Sequence, residues 1–526
     1  MVAQIQINMH KYFSLASLPL LVSCSNKDSD EVRKPNIIII YADDLGYGDV
    51  GCYGADSSYI KTPNIDRLAS MGIHFTNAHC TSSMSTPSRF SLLTGKYAFR
   101  NNANILPGDA PLLIAPGTAT LPGKLKEAGY VSAVIGKWHL GLGDGFVDWN
   151  KEIKPGPLEI GFDYCYLIPA TGDRVPCVFV ENHRVVDLDT NDPISVSYKE
   201  PIGTLPTGLS HPEMLRQHAD PQHSNTIVNG ISRIGWMHGG TKALWIDEEI
   251  PDRLTAMAKK FIQQHSDNPF FLYFALHDPH VPRLPHPRFQ GTSALGPRGD
   301  AIVQFDWVVG QIADYVKELG IDNHTLIIVT SDNGPVLDDG YEDKALELNK
   351  THRPTGPFNG SKYSAYEGAT RMPTIAVWPG VIQANTVSHA TFSQVDFFAS
   401  FASLVGLTLK SDEAPDSENM IDVILGKSQQ GRKDMILQSS NTLSLRKGKW
   451  KYIRADAEAE THKSFYTHKK SVNLGLLTEA QLYNLNEDIG ETNNLAGKYP
   501  SIVDEMEALL DKYIVEGSSR AEYKKE

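Results

Sequence analysis

Cysteine is scarce, with five in 526 residues (Cys24, Cys52, Cys80, Cys165 and Cys177). That is too few for a disulfide scaffold in a chain of this length. No two have Cys-x-x-Cys spacing, which argues against a thiolate zinc site or a thioredoxin-type redox motif. Cys165 and Cys177 could pair, and the sequence leaves that open. Basic residues are in deficit too, 49 against 62 acidic, for a net charge of −13. Such a balance excludes nucleic acid as a partner, because that polyanion is held by a basic face. It does not exclude a small anionic substrate, since net charge describes a surface and not a pocket. Low-complexity tracts and internal repeats are lacking. With 41% hydrophobic and 21% charged residues the composition is that of a packed globular protein.

A long apolar run is missing as well. The stretch from Tyr12 to Val22 falls short of the roughly 20 residues that span a bilayer and reads as the core of a signal segment. Leu21-Val22-Ser23-Cys24 resembles a bacterial lipobox. The expectation is a signal peptide over 1–23, lipidation of Cys24, a polar tether over 24–33, and an exported protein that touches the membrane only through its N-terminal lipid.

What is present is a set of short apolar runs that end in polar residues. Asn36 to Tyr41 leads into Asp43-Asp44, and Val131 to Gly136 into Lys137-Trp138-His139. Phe270 to Leu276 leads into His277-Asp278-Pro279-His280, and Thr325 to Thr330 into Ser331-Asp332-Asn333-Gly334. Continuous runs rich in β-branched residues predict strands buried on both faces of a largely parallel sheet. Amphipathic patterns over 252–265 and 301–319 predict helices between them. The fold class is therefore α/β, a large, mostly parallel sheet sandwiched by helices. In such sheets ligands gather beyond the C-terminal strand ends, where all four runs carry titratable or metal-ligating residues. Residues 34–434 read as the main domain. The irregular stretch 148–249, rich in Pro, Gly, His and Asn, reads as an excursion that holds substrate. Residues 435–526 read as a small antiparallel sheet with a closing helix, built from a hairpin over 444–453, a strand over 481–484 and a helix over 500–515.

Asp43, Asp44 and Asp332 with the amide oxygen of Asn333 form a hard-oxygen set suited to Ca²⁺ or Mg²⁺. Either pair alone reads more readily as a turn or helix cap. Together, at two strand ends, they favour a metal, because clustered carboxylates without a cation repel and one stays protonated. In Ser85-Thr86-Pro87-Ser88-Arg89, Pro87 suits the first turn of a helix. That helix would aim free N–H groups at an anion near Ser85, or Ser85 and Pro87 would simply cap it.

Ser85-x-Pro-Ser-Arg followed by Leu92-Leu93-Thr94-Gly95 resembles the signature of the type I sulfatases, in the alkaline phosphatase superfamily. Further blocks resemble the same family, among them 36–44, 136–141, 277–282, 331–334 and 362–371 with Tyr366-Glu367-Gly368. Arg446 to Lys451 and Leu482 to Leu485 resemble its C-terminal subdomain. The resemblance implies a sulfuric ester hydrolase whose Ser85 is oxidised to formylglycine (3-oxoalanine) by a maturase, with one bound calcium ion, magnesium being the lesser choice. It assigns Asp43, Asp44, Asp332, Asn333 and modified Ser85 to the metal. Arg89 and Lys137 are assigned to the hydrated aldehyde, His139 to the base that releases sulfate, and His280 and Lys362 to sulfate binding and the leaving oxygen. Asp278 would cap a turn or tune His280.

The resemblance also implies a sulfated saccharide of galactose or N-acetylgalactosamine type, met in the periplasm or at the outer membrane of a Gram-negative bacterium. His277, Asp173, Arg174, His183, Trp236, His238 and Arg353 are candidate sugar contacts. The rivals are a phosphate or phosphonate ester hydrolase of the same superfamily and a non-catalytic glycan-binding protein with Ser85 unconverted.

Overall fold

A computed structural model describes residues 33–465 and 473–523, so Cys24 and the signal segment lie outside the described residues. Five parallel strands form the centre of a ten-stranded sheet, in the order Thr325–Ser331, Asn36–Ala42, Phe270–Ala275, Val131–Lys137 and Tyr164–Ile168. They are buried almost throughout, as their β-branched and aromatic sequences require. Antiparallel pairings extend the sheet on both sides, Thr374–Val377 against the first and Val180–Glu181 against the last, with further short strands beyond each.

The register aligns the strand ends. Ala42 lies opposite Ser331, Tyr41 opposite Ala275, and Ala275 opposite Gly136. The residues that follow, Asp43, Asp332, His277 and Lys137, therefore emerge along one edge.

The helix expected over 252–265 spans Ile250–Gln264. The one expected over 301–319 spans Gly296–Glu318, starting five residues earlier. Buried Arg298 and Asp300 in its first turns break the apolar pattern. Arg298 there forms an ion pair with Asp49. Residues 148–249 are mostly irregular, but they also contribute the sheet strand Tyr164–Ile168, whose five residues before Pro169 are too few to show a period. Cys165 and Cys177 are both buried, and neither is in a disulfide.

The C-terminal segment folds as a four-stranded antiparallel sheet, Asp434–Ser439, Thr442–Lys447, Trp450–Ile453 and Gln481–Asn484 in that order, with a helix over Pro500–Glu516. Among the described residues no helix is long and apolar enough to cross a membrane.

Gly136 is a point where the fold admits no side chain. Its φ is +107°, and a Cβ there would lie 1.8 Å from the carbonyl oxygen of Ala275 on the paired strand. Gly136→Ala is expected to destabilise by about 3 kcal/mol or more, through left-handed strain and a backbone clash together. A denaturant midpoint indistinguishable from wild type would refute that.

Candidate active site

The edge defined by the register is the floor of a cavity of about 300 Å³ whose wall includes Ser85, His139, His280 and Lys362. Ser85 opens the helix Ser85–Thr94, with Pro87 in its first turn, so it sits at the helix end where backbone N–H groups lack internal partners. Its Oγ is 3.2 Å from Asp43 Oδ1, 3.3 Å from Asn333 Oδ1 and 3.2 Å from Lys137 Nζ.

Three buried carboxylates meet beneath it. Asp43, Asp44 and Asp332 bring oxygen atoms within 4.8 Å of one another. Each is matched by a cation. Lys137 Nζ bonds Asp43, Arg89 Nη2 is 2.8 Å from Asp332 Oδ2, and Lys362 Nζ is 2.8 Å from Asp44 Oδ2. Burial still pushes the Asp43 and Asp44 carboxyls upward, with repulsion from Asp332 adding to it and Lys137 and Lys362 opposing. Burial also opposes charge on Asp332, but Arg89 and Lys137 outweigh it and hold that carboxyl low.

The donors are all oxygen and Asn333 Oδ1 stands on the Ser85 side, which fits a hard divalent cation. Two further groupings include histidine, Asp43/His277/His280 and Asp44/His280/Asp339. The second is already filled, because Lys362 Nζ lies 2.8 Å from Asp44 and 3.0 Å from Asp339.

Two of the three cavity histidines, His139 and His280, are each fixed in one tautomer. His139 Nε2 bonds the Leu106 carbonyl at 2.9 Å, so it carries the proton, and buried Nδ1 is left with a lone pair and no partner. His280 Nδ1 bonds the Val281 carbonyl at 2.6 Å, leaving Nε2 unprotonated. Burial, then the neighbouring lysines, keep both rings well below the ordinary imidazole range. The Lys362 ammonium is stabilised well above its usual value, because Asp339 and Asp44 outweigh the cost of burial.

The expected sugar contacts divide. Asp173 and Arg174 line the cavity as an ion pair 2.9 Å apart. The others do not line it. His277 is buried against His280, ring centroids 5.5 Å apart, with its pKa pushed down to about 3 by burial and Lys137. His183 bonds Glu159 at 2.9 Å. Trp236 and His238 lie on a two-stranded ribbon paired with Ser195–Ser197, and Arg353 is exposed beside the buried His352–Asp49 pair. An isolated tryptophan, histidine or arginine in a loop carries no register, so the sequence could not place them. Asp278 neither caps a turn through its side chain nor contacts His280. It accepts a hydrogen bond from Gln304 at 2.9 Å.

Four residues escaped the sequence reading. Asp339 braces Lys362 and accepts from the Tyr363 hydroxyl at 2.9 Å. His223, Tyr198 and Gln222 reach the cavity from the irregular excursion. An acidic pair directly after the Asp332 block, Asp338-Asp339, was the available signal for the first. Nothing in the local pattern marked the others.

The C-terminal sheet also supports the site. Its first strand pairs with the chain approaching Ser85, Gln438 N donating to the Thr81 carbonyl and Ser83 N to the Gln438 carbonyl, each at 2.9 Å. Ser439 Oγ donates to the Tyr363 carbonyl at 2.6 Å, next to Lys362. Buried Glu367 takes Arg446 at 2.8 Å and Lys451 at 3.3 Å. The blocks Tyr366-Glu367-Gly368 and Arg446 to Lys451 are thus two halves of one ion network.

His223 gives the cavity a pH-dependent wall. Burial opposes its charge, but hydrogen bonds to Asp173 and Asp220 outweigh that and raise its pKa. Its proton is therefore held at and below the usual imidazole value and lost as pH rises through the raised one. KM for an anionic substrate is expected to climb roughly 3- to 10-fold over that rise, equivalent to about 0.7–1.4 kcal/mol. The climb should vanish in His223→Gln. A variant profile that keeps the wild-type shape would assign the titration elsewhere.

A family model for sulfatases matches residues 35–407. The chain is 49% identical over 505 residues to the N-acetylgalactosamine-6-O-sulfatase of Bacteroides thetaiotaomicron, covering 94% of this chain and 97% of that protein. It is 30% identical to human arylsulfatase A, over 88% of this chain and 84% of the relative. A solved Bacteroides thetaiotaomicron structure, from work on the metabolism of multiple glycosaminoglycans, matches with TM-score 0.88 at 50% identity, covering 92% of this chain and all of that one. The chain belongs to the sulfatase family, within the alkaline phosphatase superfamily, and is a sulfuric ester hydrolase.

Proposed function

We propose that the protein removes a 6-O-sulfate from N-acetylgalactosamine, or from the closely similar galactose, at the end of a sulfated glycan. The observation that carries this reading is the extent of the match to the Bacteroides relative. With 94% of the chain aligned at 49% identity, most of the cavity-lining excursion lies inside the match. Asp173, Arg174 and His223 give that wall donors and acceptors suited to sugar hydroxyls.

The reading includes Ca²⁺ held by Asp43, Asp44, Asp332 and Asn333, and oxidation of Ser85 by a maturase to formylglycine. When bound, the cation would polarise sulfate oxygens and favour a deprotonated nucleophile. The hydrated aldehyde would supply one hydroxyl as nucleophile and a second that lets sulfate leave, which a plain serine lacks.

The chain's own groups then have distinct work. Lys137 Nζ, 3.2 Å from Ser85 Oγ, orients that side chain, and Arg89 fixes Asp332 in place. His139 Nδ1, unprotonated and unpartnered, is free to take a proton at the Ser85 end. Lys362 holds a proton at the cavity wall, and with His280 it is placed to bind sulfate and protonate the departing ester oxygen. A phosphatase with two metal ions needs a second cation position, and Lys362 already occupies one of the two histidine-containing groupings that could offer it. Export by the signal segment and anchoring through Cys24 complete the proposal.

Its test is a panel of 6-O- and 4-O-sulfated N-acetylgalactosamine and galactose, with matched phosphate esters, assayed on protein coexpressed with a serine-type maturase. Turnover is expected on the 6-O-sulfates. Preference for the 4-O-sulfates or the phosphates would overturn the substrate assignment.

A further inference from the structure

A cavity of about 300 Å³ sits at the small end of ligand pockets and takes little more than one sulfated sugar residue. On the glycan reading above, the rest of the saccharide must leave it along the surface. Two further cavities adjoin. One, past His223 and Asp339, is lined by Asp220, Asp338, Glu342, Asp343 and Glu347 against a single lysine, Lys344. The other, past Tyr198, holds about 340 Å³ and is lined by Asp109, Phe146, Trp149, Ser197 and Lys199.

Tyr198 belongs to both the catalytic cavity and this second one, and the chain segment 105–109 contributes Pro107 to the first and Asp109 to the second. The two cavities therefore meet at Tyr198. That tyrosine is firmly held. Its hydroxyl donates to the Val175 carbonyl at 2.5 Å, and glycines flank it, since a Cβ on Gly108 would come within 2.0 Å of its oxygen and one on Gly235 within 3.0 Å of its ring.

Phe146 is the other half of the observation. It is 90% exposed, the most exposed large apolar side chain among the described residues, on the short turn after Gly143 and Gly145. Trp149, three residues on, is buried and anchors the turn. Charge separates the two exits. The acidic one would repel a glycan that carries further sulfate or carboxylate groups, whereas Asp109 and Lys199 balance in the other. An aromatic face in a neutral groove suits the C–H face of a pyranose ring.

We propose that the groove beyond Tyr198, with Phe146 as its platform, binds the neighbouring sugar residue of an anionic glycan, as a second saccharide subsite beside the catalytic cavity. This rests on the glycan reading, and the test separates the two. Phe146→Ala, a surface change with little bearing on folding, is compared with wild type and with Glu347→Gln on two substrates. These are the 6-O-sulfated monosaccharide and a disaccharide in which it is joined to a uronic acid.

The expected result is a 5- to 20-fold rise in KM for the disaccharide in Phe146→Ala alone, with kcat and all monosaccharide constants unchanged. An unchanged disaccharide KM, an equal change on both substrates, or a disaccharide effect in Glu347→Gln but not in Phe146→Ala would each overturn the subsite. Failure of the wild-type enzyme on both saccharides, with an aryl sulfate still turned over, would instead overturn the glycan reading and the subsite with it.

Discussion

Ser85→Ala is expected to lower turnover of any sulfate ester by about 10⁴-fold or more, a loss of the size seen when a nucleophile is deleted. Stability should change little, because the Ser85 hydroxyl's contacts with Asp43, Lys137 and Asn333 are long, at 3.2, 3.2 and 3.3 Å, and Asp332, which it also bonds, keeps Arg89. Lys137, Asp43 and Asn333 keep their other partners without it. A thermal midpoint within a degree or two of wild type, beside the lost activity, would separate a chemical role from a structural one. Active wild-type protein is expected to show the Ser85 peptide two hydrogens lighter than serine requires. Full activity with an unaltered Ser85 peptide would overturn the formylglycine reading, and more than a hundredth of wild-type activity in Ser85→Ala would overturn the nucleophile assignment itself.

Chelation of divalent cations is expected to lower turnover by roughly 10³-fold or more, while the protein stays folded. The charge arrangement explains the separation. Asp43, Asp44 and Asp332 face Lys137, Lys362 and Arg89 one for one, so the site does not fly apart without a metal. The cation contributes stability only through its binding, about 2.7 kcal/mol when present at a hundred times its dissociation constant. Catalysis loses more, because three ion pairs sum to no net charge and an anionic sulfate then finds little excess of positive potential. Readdition of Ca²⁺ should restore the rate, and Asp332→Asn should prevent the rescue. Undiminished turnover in protein shown to be metal-free would refute a metal role.

The sequence by itself determined the layered fold and the sheet edge at which the candidate site residues gather. This was possible because each chemical group follows directly on a buried strand or opens a helix. Asp43-Asp44, Lys137-Trp138-His139, His277 to His280 and Asp332-Asn333 all follow strands, and in a parallel sheet that position implies a shared edge. Pro87 marked Ser85 as the start of a helix, and only the resemblance to the sulfatase signature singled it out as a candidate reacting position.

Only the tertiary structure decided the rest. Asp173 and Arg174 reach the cavity while Trp236, His238 and His183 do not, because residues 148–249 have no period from which to read which way a side chain faces, and Arg353 stands exposed in a separate irregular segment. Asp339 and His223 acquire their roles only through Lys362 and Asp173, partners far off in the chain. The C-terminal strands support the approach to Ser85 by backbone pairing, which is indifferent to side-chain identity and so leaves no mark in the residues themselves, and the Lys362 segment through the Ser439 hydroxyl. Order along a strand is written in the chain, but the choice of which loops close over its end depends on contacts between distant segments.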